Sequence, residues 1–490
     1  MQANGTAIST APEAPPKRKT VLIGGGGIAG LTTAKRLIDA GYQVTVLEKR
    51  EILGGKWSSW QDSDGEWIET GLHVFFGAYE EIFSLMRELD IYDNILWKDH
   101  ILTFTLGEGE SFDFRTAKLP SPFHLMPTLI TNRYFNWPQK LSLARNMYPM
   151  LFGSQDYYER MDNYSYADWH TMHGISDKLL QKMFVPLSGA LKFVRPEDIS
   201  AKVVLDVSGT FLKVNDASKM GFLKGSPEKH LIGPMADYVR ERGGIVENNA
   251  KITGIQLDAD GKIAGLCVQH GNQPPELMTA DEYVLALPIH NLKRLIPTEW
   301  QSNPYFSGLM QIGGVPVITL HLWLDRQVSY VDNILFNPEG IPVYADMANT
   351  TPEYRKETDK GGSDRPAMAA RKSRFQFVVA PADQALMSAS DEAIVDQVWN
   401  TIKSNFPETA KDAQIEKYNV VRVPQSVYWP KPGLDKFRVS QRSPIDHLYL
   451  AGGYTFQRFY DSMEGAVRSG NRAADALLAR QRGEDWEPVA

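Results

Sequence analysis

"TVLIGGGGIAGLTTAKRLIDAGYQVTVLEKR", residues 20–50, leaves this chain few choices of fold. A short β-branched run ends at glycines, a helical stretch follows to Ala40, and Gly41 stands where a helix C-cap belongs. "YQVTVLE" has the make-up of a second buried strand, so the segment reads as a strand–helix–strand unit. Gly25, Gly27 and Gly30 form G-x-G-x-x-G between the first strand and the helix. Gly25 permits the tight turn, Gly27 lets a pyrophosphate approach the backbone, and Gly30 lets helix pack on strand. The helix N-terminus offers free N–H groups and a partial positive charge to phosphates. Glu48 lies 18 residues after Gly30, at the end of the second strand, placed for ribose hydroxyls. A glycine triplet alone would suit any turn. Strand, helix and acid together point to a dinucleotide.

Two further glycine turns extend the site. "KREILGGKW" brings Arg50 and the pair Gly54-Gly55, which a plain nicotinamide domain does not require. Near the C-terminus, "LAGGYT…SMEGAVRSG" is strand, glycine turn and helix again. A flavin must carry its isoalloxazine far beyond the ADP end, so extra backbone-approach glycines favour FAD over NAD.

The rest of the chain bounds the answer. At 490 residues, length alone suggests roughly three domain-sized units. A net charge of −7, with no basic stripe carrying interleaved aromatics, argues against nucleic acid as a partner. One cysteine, Cys267, rules out an intrachain disulfide and any cysteine-rich metal site. No run reaches the roughly 18 consecutive apolar residues of a spanning helix. The N-terminal "MQANGTAISTAPEAPPKRK" has no apolar h-region and reads as a flexible tail or a trimmed transit peptide. "DADGK" signals a hairpin, and "ADEYVLALP", "VPVITLHLWLD" and "RFQFVVAP" read as strands. "TPEYRKETDKGGSDRPAMAARKS" reads as a mobile charged loop.

Taken together, several motifs resemble the plant and cyanobacterial type of carotene desaturase, within the wider FAD-dependent amine-oxidase-like superfamily. They are "VLEKREILGGKW", "ETGLHVFFGAY", "ALKFVRPEDIS", "FLKGSPE", "GVPVITLHLW", "VYADM" and "LAGGYT…DSMEGAV". The resemblance runs from Lys19 to about Leu478. It implies an α/β fold: a Rossmann-like FAD-binding domain of the amine-oxidase-like type plus a mixed α+β substrate domain. The division it suggests is a flexible tail over 1–18, FAD-binding segments at 19–110, 225–290 and 441–480, and a C-terminal tail over 481–490. A helical, substrate- or membrane-facing region would take 111–224, and substrate-domain strands 291–440.

By resemblance, His73, Val74 and Tyr79 contact FAD, with Ala29, Glu48, Lys49, Lys56, Gly71 and Ile252, while Gly453 and Met463 close on the flavin from the C-terminal side. Phe75 and Phe76 serve either the flavin or core packing. Thr210, Phe211 and Asp461 are the substrate-side candidates. Two departures leave the substrate open between phytoene and ζ-carotene. Phytoene-type relatives carry an aspartate where this chain has Gly453, and an arginine where it has Thr210.

The implied reaction removes two hydrogens from a CH₂–CH₂ bond beside a polyene, by hydride transfer to the flavin and loss of a proton. No catalytic triad is expected, and no G-x-S-x-G elbow is present. His73 is the nearest candidate proton acceptor, although a structural bond beside FAD serves it as well. His170 and His173, three apart in "DWHTMH", lack a third metal ligand and read as solvated helix histidines. The resemblance further implies a membrane quinone as acceptor, a carotene as substrate and peripheral attachment to a thylakoid-like membrane on its cytoplasmic or stromal side. The docking candidate is 121–153, with Leu125, Met126, Leu129, Ile130, Trp137, Leu141, Met147, Met150, Leu151 and Phe152 beside Arg133, Lys140 and Arg145. Pro127, Pro138 and Pro149 are expected to break any long helix there. Alternatives that keep the fold are a carotene isomerase, an oxidoreductase of squalene-type isoprenoids and a non-catalytic prenyl-lipid binder. The sequence leaves the oligomeric state open.

Overall fold

The computed structural model describes residues 18–355 and 372–487. The N-terminal tail over 1–17, most of the charged loop expected at 351–373 and the last three residues lie outside the described residues.

The strand–helix–strand unit forms as its sequence dictates. Strand β1 (Thr20–Gly24) runs into helix α1 (Ile28–Asp39) and returns as β2 (Gln43–Leu47). Val21, Ile23, Val44 and Val46 are all buried, because a parallel strand is covered on both faces. β3 (Ile245–Glu247), β4 (Glu282–Leu285) and β5 (Leu448–Leu450) complete a parallel sheet in the order β3-β2-β1-β4-β5. Ile23 lies beside Val46 on one side and Val284 on the other. Strands from three distant stretches of chain thus share one sheet.

A seven-stranded sheet stands beyond it. Its order is Ile415–Val423, Val317–Leu324, Arg374–Val379, Val343–Asp346, Leu335–Phe336, Ile101–Gly107 and Glu110–Arg115. "VITLHLWL" in the second of these is buried throughout. The boundary drawn from sequence at 110/111 cuts the hairpin Ile101–Arg115, whose first strand pairs with Leu335–Phe336. That partner is more than two hundred residues away in sequence, so local pattern could not assign the hairpin to its sheet. The "DADGK" turn joins Ala250–Leu257 to Ile263–His270, with Gly261 at φ +77.

Helices α2 (Met126–Thr131), α3 (Trp137–Phe152), α4 (Val185–Lys192) and α5 (Ala201–Lys213) roof the space between the sheets. The prolines act differently from expectation. Pro127 and Pro138 sit in first turns, where no intrahelical donor is needed. Pro149 lies inside α3, which still continues to Phe152. The break between α2 and α3 comes instead from Asn132, whose side chain accepts from Tyr134 N at 3.0 Å and Phe135 N at 3.2 Å. A capping box between Asn136 and Gln139 then starts α3.

His170 corrects a second expectation. It is only 2% exposed on the helix Tyr166–Met172, with its ring 4.4 Å from that of Tyr166 and 4.5 Å from Phe184. Its neighbour His173 is half-buried, with Nδ1 2.8 Å from the Trp169 carbonyl. Among the described residues, no group of three or more His, Cys, Asp or Glu is placed to hold a metal.

Helix α6 (Met463–Gln481) closes the fold against α1. A Cβ on Gly470 would stand 2.5 Å from the Ala29 carbonyl, so only glycine permits this approach. Thr33 Oγ1 donates to the Gly470 carbonyl at 3.1 Å across the joint.

Candidate flavin site

One cavity of about 1790 Å³ runs from the α1 N-terminus to the helical roof. Single small-ligand pockets span roughly 300–1,000 Å³, so this one has room for a long cofactor and a second molecule.

At the nucleotide end, Gly25 adopts φ +108, and a Cβ there would stand 2.5 Å from the Ala286 carbonyl. On Gly30 a Cβ would come within 1.9 Å of the Gly25 carbonyl, so Gly30 holds helix to turn, and Gly25, Gly27 and Ala29 face the cavity. No side chain caps α1 and no acid lies in its first turn, which leaves its N–H groups open to an anion. Glu48 is buried. Its Oε2 accepts from Gly26 N at 2.9 Å and its Oε1 from Arg50 N at 3.1 Å. Arg50 Nη2 donates in turn to the Gly55 carbonyl at 2.9 Å, and Gly54 N to the Gly26 carbonyl at 2.9 Å. Gly54 and Gly55, at φ +100 and +61, therefore lie directly on the first glycine turn. Lys49 and Ile252 complete this end.

The segment Gly71–Tyr79 forms the next stretch of wall. Gly71, His73, Val74, Phe76 and Tyr79 line the cavity, while Phe75 is fully buried in the core behind them. Phe76 stacks toward Phe211 at 5.2 Å, and His73 stacks on Trp57 at 4.9 Å. His73 Nδ1–H donates to the Gly71 carbonyl at 2.8 Å. Burial pushes its pKa down to about 4, against the smaller opposing pull of that bond.

From the C-terminal side come Gly452, Gly453, Asp461 and Met463. A Cβ on Gly453 would stand 2.1 Å from Asp461 Oδ1. Asp461 thus fills the volume that a side chain at 453 would take, and puts a carboxylate there. Its Oδ2 pairs with Lys56 Nζ at 2.5 Å and accepts from Tyr428 N at 2.7 Å. Burial pushes the Asp461 carboxyl up, but Lys56 and Lys192 outweigh it and hold it below the usual range. Position 210 is also met by a charged side chain. Arg458 Nη2 reaches Thr210 Oγ1 at 3.2 Å, bringing a guanidinium to that wall from the opposite segment.

Beyond the flavin end the lining turns apolar: Leu125 just before α2, Leu129 from α2, and Leu143, Met147 and Met150 from α3, with Val207 and Phe211 from α5. Sequence reasoning missed Lys192, Asp206, Arg458 and Tyr460, all of which line the cavity. The only sequence signal was a lysine ending the otherwise uncharged "VPLSGALK".

A paired glycine cradle, an open helix N-terminus, a buried acid two strands deep and a second glycine turn from the far end of the chain suit a dinucleotide carrying an extended ring system. The sequence model of the flavin containing amine oxidoreductases matches residues 28–478. The chain belongs to that family. FAD is its cofactor, and the enzyme is a flavin-dependent oxidoreductase. Among curated relatives, 15-cis-phytoene desaturase of Capsicum annuum is 38% identical over 95% of this chain and 78% of its own length. That of Synechococcus elongatus is 38% identical over 94% and 96%. A probable zeta-carotene desaturase of the same organism is 35% identical over 94% and 99%. Solved structures agree on the fold. An oxidoreductase from Methanosarcina mazei superposes with TM-score 0.70 at 16% identity, covering 94% of this chain and 99% of that one. A putrescine oxidase variant gives 0.69 at 17%, covering 94% and 99%.

Proposed function

We propose that this protein is an FAD-dependent desaturase of an acyclic C40 carotene, 15-cis-phytoene or ζ-carotene, with a membrane quinone as final acceptor. The observation that carries this reading is the likeness to phytoene desaturases, 38% over 95% of the chain, and the cavity's long apolar arm is consistent with it. A hydrocarbon has nothing to hydrogen-bond, so an apolar lining of matching shape is what can hold it. When bound, FAD supplies the two-electron acceptor that removing two hydrogens from CH₂–CH₂ requires. The chain does the holding. Gly25, Gly27 and the α1 N-terminus would take the diphosphate, Glu48 the ribose, and Gly71–Tyr79 with Gly453 and Met463 the ring, all of them on the cavity wall. Burial pushes the His73 pKa down to about 4, which favours a neutral ring that orients the wall through its bond to Gly71.

Attachment to a membrane surface belongs to the same proposal. The helices whose inner faces line the cavity present Phe123, Met126, Ile130, Trp137, Leu141 and Phe152 outward, each exposed. Lys140 lies over the Trp137 ring at 4.9 Å, with Arg133 and Arg145 exposed nearby. An apolar patch rimmed by cations suits an anionic bilayer surface, where substrate and quinone both reside. Among the described residues, no helix is long and apolar enough to cross a membrane.

The test is FAD-loaded protein on liposomes holding a quinone, 15-cis-phytoene and ζ-carotene, followed by chromatography of the polyenes. Loss of phytoene assigns the phytoene-type reaction despite Gly453 and Thr210, and selective loss of ζ-carotene assigns the other. Persistence of both with flavin still bound refutes the carotene assignment and brings forward an isomerase or another isoprenoid.

A further inference from the structure

We propose that Lys192 is the base of this site: its side-chain amine takes the proton that desaturation releases. This rests on the desaturase reading above. Lys192 ends α4 and is 2% exposed, with its side chain on the cavity wall. Its Nζ donates to the Tyr460 carbonyl and, at 3.3 Å, to that of Asp461. Both carbonyls come from non-glycine residues at positive φ, +21 and +42. Such backbone is unfavourable and persists where the surroundings impose it, so two strained residues turn their carbonyls onto one amine.

Among the described residues, no carboxylate oxygen hydrogen-bonds that amine. Asp461, the acid nearest to it, is engaged by Lys56 and by Tyr428 N. The other charges facing Lys192 are the cations Lys56 and Arg438, with the Tyr428 ring 5.9 Å from Nζ and Tyr460 alongside. An ammonium buried among cations with only carbonyls for partners loses its proton easily. Burial first, then Lys56 and Arg438, bring its pKa down to about 7 against the pull of Asp461. The histidines on the wall are worse placed. His73 is too weakly basic, and His290 faces Lys49 and Arg294 at the nucleotide end.

The step balances. One C–H bond of the CH₂–CH₂ unit breaks and its hydrogen leaves with the bonding pair to the flavin acceptor. The neighbouring C–H bond breaks, its pair becomes the π bond, and its proton forms a new N–H bond on Lys192. The ammonium so formed is held by the two carbonyls and by the charge of Asp461.

The test uses FAD-loaded protein as wild type, Lys192→Met, Lys192→Gln and Lys192→Arg, all at full flavin content. First, without substrate, the visible flavin spectrum is titrated from about pH 5.5 to about pH 9.5, bracketing the expected range. Wild type shows a step with its midpoint near 7 that all three variants lack. Second, carotene-driven bleaching of the flavin in a single turnover rises with pH through that midpoint. In Lys192→Met and Lys192→Gln it is about 100-fold slower and loses this rise, the loss expected for a positioned base. A spectral step surviving in Lys192→Met, or bleaching within about threefold of wild type on an unchanged pH profile, overturns the proposal. If no carotene bleaches the flavin while the spectral step follows Lys192, the carotene assignment fails and the titrating amine stands.

Discussion

Glu48 spends both carboxylate oxygens on backbone N–H groups, Gly26 and Arg50, and so fixes the first glycine turn as well as lining the cavity. Hydrogen bonds to a charged acceptor contribute about 1.5–3 kcal/mol. Glu48→Gln is therefore expected to weaken FAD binding roughly 10- to 100-fold, read by calorimetric titration of the apoprotein. Undiminished affinity would mean that the carboxylate is structural only. His170 offers a prediction of the opposite kind. Among the described residues neither ring nitrogen has a hydrogen-bond partner, and burial drives its pKa down to about 3, so the folded protein keeps the ring neutral. The unfolded chain binds that proton below about pH 6.5, so the stability attached to a neutral ring is present above 6.5 and lost as pH falls toward 3. His170→Leu should match wild type at pH 7, then gain on it by about 1.4 kcal/mol per pH unit below 6.5, measured by urea melts between pH 7 and pH 4.5. Parallel curves would place the proton elsewhere. At this scale, what the sequence could show was set by distance along the chain. Gly30 packs on Gly25, and Glu48 holds Gly26 N and Arg50 N, all within 25 residues, and their spacing was readable. The exchange of Gly453 for Asp461 is a matter of which side chain fills one volume. The Arg458–Thr210 bond joins residues 248 positions apart, and no spacing announces it.

Among elements, α2 and α3 carry the sharpest contrast. Leu143, Met147 and Met150 look into the cavity while Leu141, Tyr148 and Phe152 look out, so α3 is apolar on two faces. The usual one-sided stripe of a surface helix is lost, which is why sequence periodicity could not say which side met the core. The docking proposal makes the outer face separable from the inner. Leu141→Glu with Phe152→Glu should lower flotation with anionic liposomes by at least about tenfold, since each side chain withdrawn from the bilayer forfeits roughly 1.5–3 kcal/mol. Flavin content and the melting curve should hold, because both positions are about two-thirds exposed. Flotation equal to wild type would move the membrane face elsewhere on the molecule. The prolines teach the same lesson about elements. Pro138 reads as a breaker in isolation, but the capping box around it makes it a helix start.

Over the whole molecule, the flavin site is a joint between chain segments that are remote in sequence. Its walls come from 25–29, 48–56, 71–79, 250–253 and 452–463, and helices α1 and α6 meet at Gly470 to hold the outer two together. The sheet that carries the N-terminal glycines takes its outermost strand, β5, from the last fifty residues. Each segment advertised itself locally, as strand, turn and helix start, but their meeting depends on a sheet order that local pattern cannot carry. A ligand bound across such a joint stabilises all of its walls together, by about 2.7 kcal/mol when present at 100 times its dissociation constant. Hydrogen exchange on the apoprotein and on the FAD-loaded protein should therefore show slowing at 25–29, 48–56, 71–79 and 452–463 in concert. The helix Asp391–Asn405, none of whose residues lines the cavity, should change little. Slowing confined to 25–56, with 452–463 exchanging as before, would mean that the C-terminal turn does not touch the cofactor and that Gly453 and Met463 belong to packing alone.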